Sequence, residues 1–380
     1  PNMSLGGIYQ RQRKFDEAIE VYNEVLDKYP ECTMVYHELC GCFSGKNDYE
    51  NALVNAKIYL EKCPTEAISY TYMGWIYGRM GDNEMCKDYR EQALMLDSDN
   101  CRFMCKVAEA DLSLGNFSEA EDQINEALNF CKSNVDFHDV YEIMGSSLSK
   151  RGRIKESIDA YEKSAEYFAK FQNPIDSLFQ TINKLPSYVL INKEDEALKI
   201  LDNATEKLSH PFNLLAGFGQ ILLGGTNGDK ELLKTGINNM EEFLKIKDFP
   251  WLRPFIPYGN AMLNMHDNNF NKAIDLFQES LTGIIEMRSE IVWQIIKCHS
   301  KNKDYQSAIK VAVEHLEKKP YSSKIILELS KSYIVENETQ KAKESLTKLL
   351  SIWEDGDEEF IYLQEAKKLW KKLNTVKEPA

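Results

Sequence analysis

One pattern returns every 34 residues through the first third of the chain and limits what the chain can become. A large residue, a small residue and then usually an aromatic stand at i, i+1 and i+4. They are Leu39, Cys40 and Phe43, then Met73, Gly74 and Tyr77, then Val107, Ala108 and, in the aromatic's place, Asp111. Further along each period a small residue recurs, at Ala18, Ala52, Cys86 and Ala120, again 34 apart. Pro30 and Pro64 close two periods, with "DSDN" (97–100) standing in for the next. Turn signals divide each period: "GKND" (45–48), "MGDN" (80–83), "LGNF" (114–117) and "RGRI" (151–154). Within each half the apolar residues keep helical spacing, so one period reads as a helical hairpin. The small residue in the first helix and the alanine in the second let the two backbones approach closely, and the aromatic fills the space beyond. A lone hairpin cannot bury its apolar face, so neighbours must stack.

This pattern resembles the tetratricopeptide repeat. In "LGGIYQRQRKFDEAIEVYNEVLDKYP" the matching residues are Leu5, Gly6, Tyr9, Ala18, Tyr22 and Pro30; towards the other end they are Leu329, Tyr333, Ala342 and Leu346. The resemblance implies an all-α fold, a right-handed superhelical solenoid of stacked antiparallel helix pairs with a C-terminal capping helix. Repeat starts fall near residues 1, 33, 67, 101, 138, 178, 210, 254, 289 and 323. The middle departs from the pattern. Pro186 stands where a first helix should continue. "LLGGTNGDKELLKTG" (222–236) reads as an insertion between two helices, and "FPWLRPFIPYG" (249–259) carries three prolines at a helix entrance. We therefore expect an N-terminal stack over 1–170, irregular bending repeats over 171–258, a second stack over 259–356, and a cap and tail over 357–380. In "ESLTKLLSIWEDGDEEFIYLQEAKKLWKKL" (344–373) a helix runs to Trp353, an acidic loop follows, and the capping helix starts near Glu358.

The 380 residues carry a net charge of −14, which disfavours nonspecific binding to nucleic acid. The apolar stretch "FNLLAGFGQILL" (212–223) is short of the roughly 20 residues that span a bilayer. Nine cysteines, an odd number, favour free thiols in a reducing compartment, hence a cytoplasmic location. Cys32, His37, Cys40 and Cys42 lie close together, but Cys40 and Cys42 diverge on a helix and do not make a zinc knuckle. His299 and His315 fall at packing positions. No phosphate loop, nucleophile elbow or metal-protease motif occurs, so neither an enzyme nor a cofactor is expected. The chain opens on what reads as the middle of a helix. A second reading is therefore a regulatory or substrate-docking region of a larger signalling enzyme, its catalytic domain upstream of residue 1. An uncapped N-terminal face would also favour a homodimer.

By the geometry of the resembled family, first helices line the concave side, and roughly positions 2, 5, 6, 9, 12 and 13 of each repeat face the groove. Tyr72, Trp75 and Arg79 then share one face, with Arg102 and Lys106 on the next first helix. This cationic, aromatic spot suits an acidic or C-terminal segment of a partner protein. Some members of that family clamp the C-terminal carboxylate of chaperones. Arg102 and Lys106 match that clamp in charge, but Tyr72, His37 and Gly41 do not, so no chaperone clamp is expected. A second groove cluster, Phe255, Tyr258, Met262, Met265 and Trp293, suits an apolar peptide. The function expected is a non-catalytic scaffold or adaptor that holds peptide segments of partners.

Overall fold

The computed structural model describes residues 2–169, 174–247, 249–281, 283 and 287–375; among them there is helix and no strand. The chain divides into two compact units, Pro1–Lys132 and Ser133–Ala380. The division falls well before the expected boundary at 170, for a reason that lies at the C-terminus.

The first unit holds four hairpins: α1 (Asn2–Arg11) with α2 (Phe15–Lys28), α3 (Thr33–Gly45) with α4 (Tyr49–Lys62), α5 (Ala67–Met80) with α6 (Asn83–Leu96), and α7 (Cys101–Leu114) with α8 (Phe117–Ala127). Within the unit α2 packs on α3, α4 on α5 and α6 on α7. The small-residue rule has a direct steric reading. A Cβ on Gly6 would lie 2.5 Å from the Tyr22 ring, and one on Gly74 would lie 3.0 Å from the carbonyl of Cys86. Ala18, Ala52 and Ala120 are 0% exposed. Asp111, which broke the aromatic pattern, is a buried polar hub instead. Its carboxylate accepts from Lys87 at 2.7 Å, Asn116 at 2.8 Å and Gln123 at 3.1 Å.

The hairpin turns repeat as strictly as the cores. A left-handed residue stands at Arg13, Asn47, Gly81 and Gly115, and again at Lys303 and Asn337. At three of these turns the next residue caps the second helix: Asp48 accepts from the Asn51 N–H, Asp82 from Met85 and Asp304 from Ser307. Glycine takes this backbone without strain and lysine does not. Gly81→Ala should therefore lose about 1 kcal/mol, while Lys303→Gly should gain about 0.5 kcal/mol after the glycine's extra unfolded-state entropy. Hydrogen exchange resolved by peptide, read in the unit that holds each turn, would check both. A gain for Gly81→Ala would sink this account of the turn.

The second unit continues with α9 (Asn134–Lys150), α10 (Ile154–Ala169), α11 (Pro174–Val189), α12 (Glu194–Thr205), α13 (Ala216–Asn227), α14 (Lys230–Ile246), α15 (Phe255–His266), α16 (Phe270–Leu281), α17 (Arg288–Lys301), α18 (Tyr305–Lys318), α19 (Ser323–Val335), α20 (Thr339–Ile352) and α21 (Ile361–Thr375). First helices start where the spacing placed them at 323 and one residue away at 254 and 289; those expected at 138, 178 and 210 start at 134, 174 and 216.

Two local expectations are corrected. α11 passes through Pro186, which sits in its last turn, and the Leu190 N–H bonds the Pro186 carbonyl at 3.2 Å. The supposed insertion at 222–236 is not a loop, because "GGTN" forms the last turn of α13 and only Gly228 and Asp229 separate it from α14. Its glycines serve close packing: a Cβ on Gly217 would lie 2.5 Å from the Gly236 carbonyl, and one on Gly236 would lie 2.8 Å from the Gly217 carbonyl.

α21 caps the stack, packing on α19 and α20. It starts at Ile361 rather than near Glu358. The acidic loop before it is a fastener. The Trp353 indole donates to the Lys150 carbonyl at 3.1 Å, across 203 residues. The Asp357 N–H bonds the Gly152 carbonyl at 2.9 Å, and the Asp357 carboxylate accepts the Lys155 N–H at 2.8 Å, in the first turn of α10. The Ile361 N–H reaches the Leu190 carbonyl at 3.3 Å. Arg151–Asp355 and Lys155–Glu359 pairs flank the seam at 3.0 and 2.8 Å. The unit thus curls until its last loop meets its first hairpin, which ties α9 and α10 to the second unit. Two of its first helices are buried over long unbroken stretches. In α13, Ala216–Gly219 and Leu223–Gly225 are buried without a break, as are Ile291–Ile296 in α17.

Candidate functional site

In the first unit, α3, α5 and α7 carry the positions expected to face a groove. The Tyr72 hydroxyl hydrogen-bonds the His37 ring, the two ring centroids lie 4.5 Å apart, and the Trp75 ring meets Tyr72 edge-on at 6.2 Å. Burial, then the charge of Glu38, pushes the Tyr72 hydroxyl up to about 12. Tyr72, Trp75 and Arg79 are half-buried, while Ile68 on the same helix is 42% exposed. The face therefore keeps contact with solvent.

On α7, Arg102 is exposed and Lys106 half-buried. Lys106 pairs with Glu109 at 3.0 Å. A cation that the spacing did not select joins them. Arg90 of α6 donates to the Lys106 carbonyl at 2.6 Å and pairs with Glu109 at 3.5 Å. Its stem crosses at Gly74, where an added Cβ would lie 3.0 Å from Arg90 Cγ. Gly74 thus lets a second-helix arginine reach the next first helix. Cys40 and Cys42 part as their spacing requires: Cys40 packs with Ala52, Ala56 and Met73, Cys42 with Ala18 and Tyr22. Burial raises both thiols to about 12.

The second expected cluster is placed differently. Phe255, Tyr258, Met262, Met265 and Trp293 are all buried. Phe255 meets Phe218 at 4.3 Å, Tyr258 meets Phe277 at 5.7 Å, and Met262 lies on Gly225. The curl of the unit brings neighbouring first helices together, so positions that would line an open groove become core. An apolar surface for a peptide does not form there.

Trp293 has polar company instead. Glu290, Gln294 and Lys297 share its helix, Lys324, Glu328 and Lys331 lie on α19, and Tyr362 and Glu365 on α21. The Tyr362 ring meets the Trp293 indole at 5.7 Å. The ammonium groups of Lys297 and Lys324 lie 4.2 and 4.7 Å from the indole centre. The signal for this cluster was in the sequence: the groove spacing, applied from 289 and 323, selects Glu290, Trp293, Gln294, Lys297, Lys324, Glu328 and Lys331. Elsewhere in the unit, half-buried His315 bonds Ser289 and Ser322. Burial, ahead of the charges of Arg288 and Lys319, pulls its pKa down to about 4.

Two family profiles, each described as tetratricopeptide repeat, match residues 3–31 and 67–100. These two stretches are similar to tetratricopeptide repeats. Repeats of this family are generally non-catalytic and support protein-interaction scaffolds. No curated protein matches the sequence. Among solved structures, the chain is similar to the P58(IPK) TPR domain at 16% identity, with 90% of this chain and 99% of that one covered and a TM-score of 0.28. It is similar to yeast Tom70 at 12% identity, with 98% and 88% covered and a TM-score of 0.41. MamA matches at 18% identity over 44% of this chain and 96% of its own, with a TM-score of 0.35. No described helix is long and apolar enough to cross a membrane.

Proposed function

We propose that this repeat protein is a non-catalytic scaffold whose first unit holds an acidic or C-terminal segment of a partner protein. The segment lies on the α5–α7 face, against Tyr72, Trp75, Arg79, Arg102 and Lys106. The observation that carries the reading is a half-buried aromatic pair on α5 and an exposed arginine on α7, the next first helix, with Arg90 adding a further cation next to Lys106. Half-buried aromatics offer apolar contact area at little conformational cost, and arginine forks to a carboxylate. The nine cysteines are free thiols, which supports a reducing compartment and a cytoplasmic scaffold.

The test is fluorescence anisotropy with a labelled octapeptide rich in Asp and Glu and ending in a free carboxylate. Arg102→Glu/Lys106→Glu should weaken binding about tenfold or more, mainly through reversed charge, and the difference should shrink as salt rises. Equal affinity of the two proteins at low salt would refute the site.

A further inference from the structure

The capping helix α21 has two unlike faces. Leu363, Ala366 and Leu373 are buried, on the side that packs on α19 and α20. Helical spacing puts Lys367, Lys368, Lys371 and Lys372 on the opposite side, and all four are exposed. No acidic residue follows Glu365 on the helix. Other exposed helices mix their signs: Lys234 pairs with Glu231 at 2.7 Å, and Lys193 with Glu196 at 3.2 Å. The four lysines of α21 pair with no carboxylate among the described residues. The acids that precede them in sequence are engaged elsewhere. Asp355 holds Arg151, Glu359 holds Lys155, Asp357 accepts the Lys155 N–H, and Glu365 holds Lys331 at 2.8 Å. Glu354 and Glu358 lie outside the helix.

This arrangement works against the helix. Lys367 and Lys371 are four residues apart, as are Lys368 and Lys372, and like charges at that spacing are destabilising. The helix dipole favours Lys372, in the last turn, but its effect fades before the other three. We propose that the lysine face of α21 adsorbs to the anionic leaflet of a membrane, its ammonium groups lying among phosphatidylserine-type headgroups. Four lysines on an amphipathic helix make a cluster of the size that recognises anionic lipid. Charge is screened beyond about 8 Å at physiological salt, so these lysines, not the net charge of −14, set the field that a surface meets there. The face is the outside of a single helix, and a flat field of headgroups matches it. Arginine, which forks to one carboxylate or phosphate, is absent from the helix, whereas lysine acts as a point charge. Half-buried Trp370 borders the face, three residues from Lys367, and tryptophan settles at the water–lipid boundary. Leu363, Ala366 and Leu373 stay in the core, so the helix lies on the headgroups and does not insert. This face shares no residue with the Tyr72–Lys106 cluster, so the two proposals stand or fall separately.

The test is sedimentation of the purified full chain with vesicles of phosphatidylcholine, either alone or with roughly one-third phosphatidylserine. The parent should sediment with the serine-containing vesicles and not with phosphatidylcholine alone, and added salt should release it. Lys367→Gln/Lys368→Gln/Lys371→Gln/Lys372→Gln should weaken partition by about several hundredfold, at about fivefold per lysine. Glutamine matches lysine in helix propensity, so the thermal melt of this variant should hold or rise. Lys199→Gln/Lys245→Gln/Lys272→Gln/Lys301→Gln removes the same charge from exposed positions on four other helices and should partition as the parent does. Failure of the parent to sediment with serine-containing vesicles, equal partition of the α21 variant, or an equal loss in the second variant would overturn the proposal. Polyuridylate and polyglutamate are run beside the vesicles. If either bound through the four lysines while the vesicles did not, the lipid assignment would fail and the face would belong to a nucleic acid or an acidic protein.

Discussion

Trp353→Ala should destabilise the second unit by about 4 kcal/mol, the range for truncating a large buried aromatic in a core that cannot collapse around the gap. Trp353 is 1% exposed, packs edge-on against Phe360 at 5.0 Å, and donates to the Lys150 carbonyl. Its removal opens the seam where the end of the unit meets its beginning. The neighbouring contacts should rank well below it. Asp357→Ala removes the side-chain acceptor of the Lys155 N–H in α10 and should lose about 1 kcal/mol, as for a lost helix cap. Arg151–Asp355 and Lys155–Glu359 join partly exposed side chains, and water screens such pairs, so each should add little. The two units need not unfold together, so a single global midpoint is a poor readout. Hydrogen exchange resolved by peptide is the better one. Protection should fall across α9–α21 and stay unchanged across α1–α8. Equal loss in both units, or a loss under about 1 kcal/mol, would show that the seam does not hold the second unit closed.

The hairpins were legible in the sequence because the contacts that define them are close in the chain. Gly6 against Tyr22, or Cys40 bonding the Ala52 carbonyl, lies within one repeat, so each leaves a mark at fixed spacing. The closure was not legible. Trp353 and Lys150 are 203 residues apart, and nothing in the acidic loop's composition separates a fastener from a solvated turn. Glycine misled in one place for a related reason. In "GGTNG" it suggested a loop, yet Gly224 and Gly225 lie within α13, against α14 and Met262. The candidate faces divide in the same way. Tyr72, Trp75, Arg102 and Lys106 follow from the repeat register together with the groove positions that the family resemblance implies. Arg90 does not, because its reach to the Lys106 carbonyl depends on a gap opened by Gly74 on another helix. Phe255 and Met262 occupy groove positions by spacing, and only the curl of the unit turns that position into core.

The close crossing of α13 and α14 carries the last expectation. Gly217→Val should lower stability by about 3 kcal/mol, at the upper end for overpacking. The atoms that a new side chain would meet are mostly not free to yield. A Cβ on Gly217 would lie 2.5 Å from the Gly236 carbonyl oxygen and 2.9 Å from Asn239 Cβ, and the reciprocal Cβ on Gly236 would lie 2.8 Å from the Gly217 carbonyl. A flexible side chain can swing away from such a contact, but a backbone carbonyl moves only with its helix. Gly7→Ala is the matched comparison. Its Cβ would meet only the Tyr22 hydroxyl, at 3.9 Å, so the change should gain about 0.5 kcal/mol from helix propensity. Hydrogen-exchange protection should therefore fall across α9–α21 in Gly217→Val and rise across α1–α8 in Gly7→Ala. If Gly217→Val shifted stability by less than about 0.5 kcal/mol, the two backbones would not be in contact. The reading of 216–246 as one tightly crossed hairpin, rather than two helices joined by a glycine-rich insertion, would then fail with it.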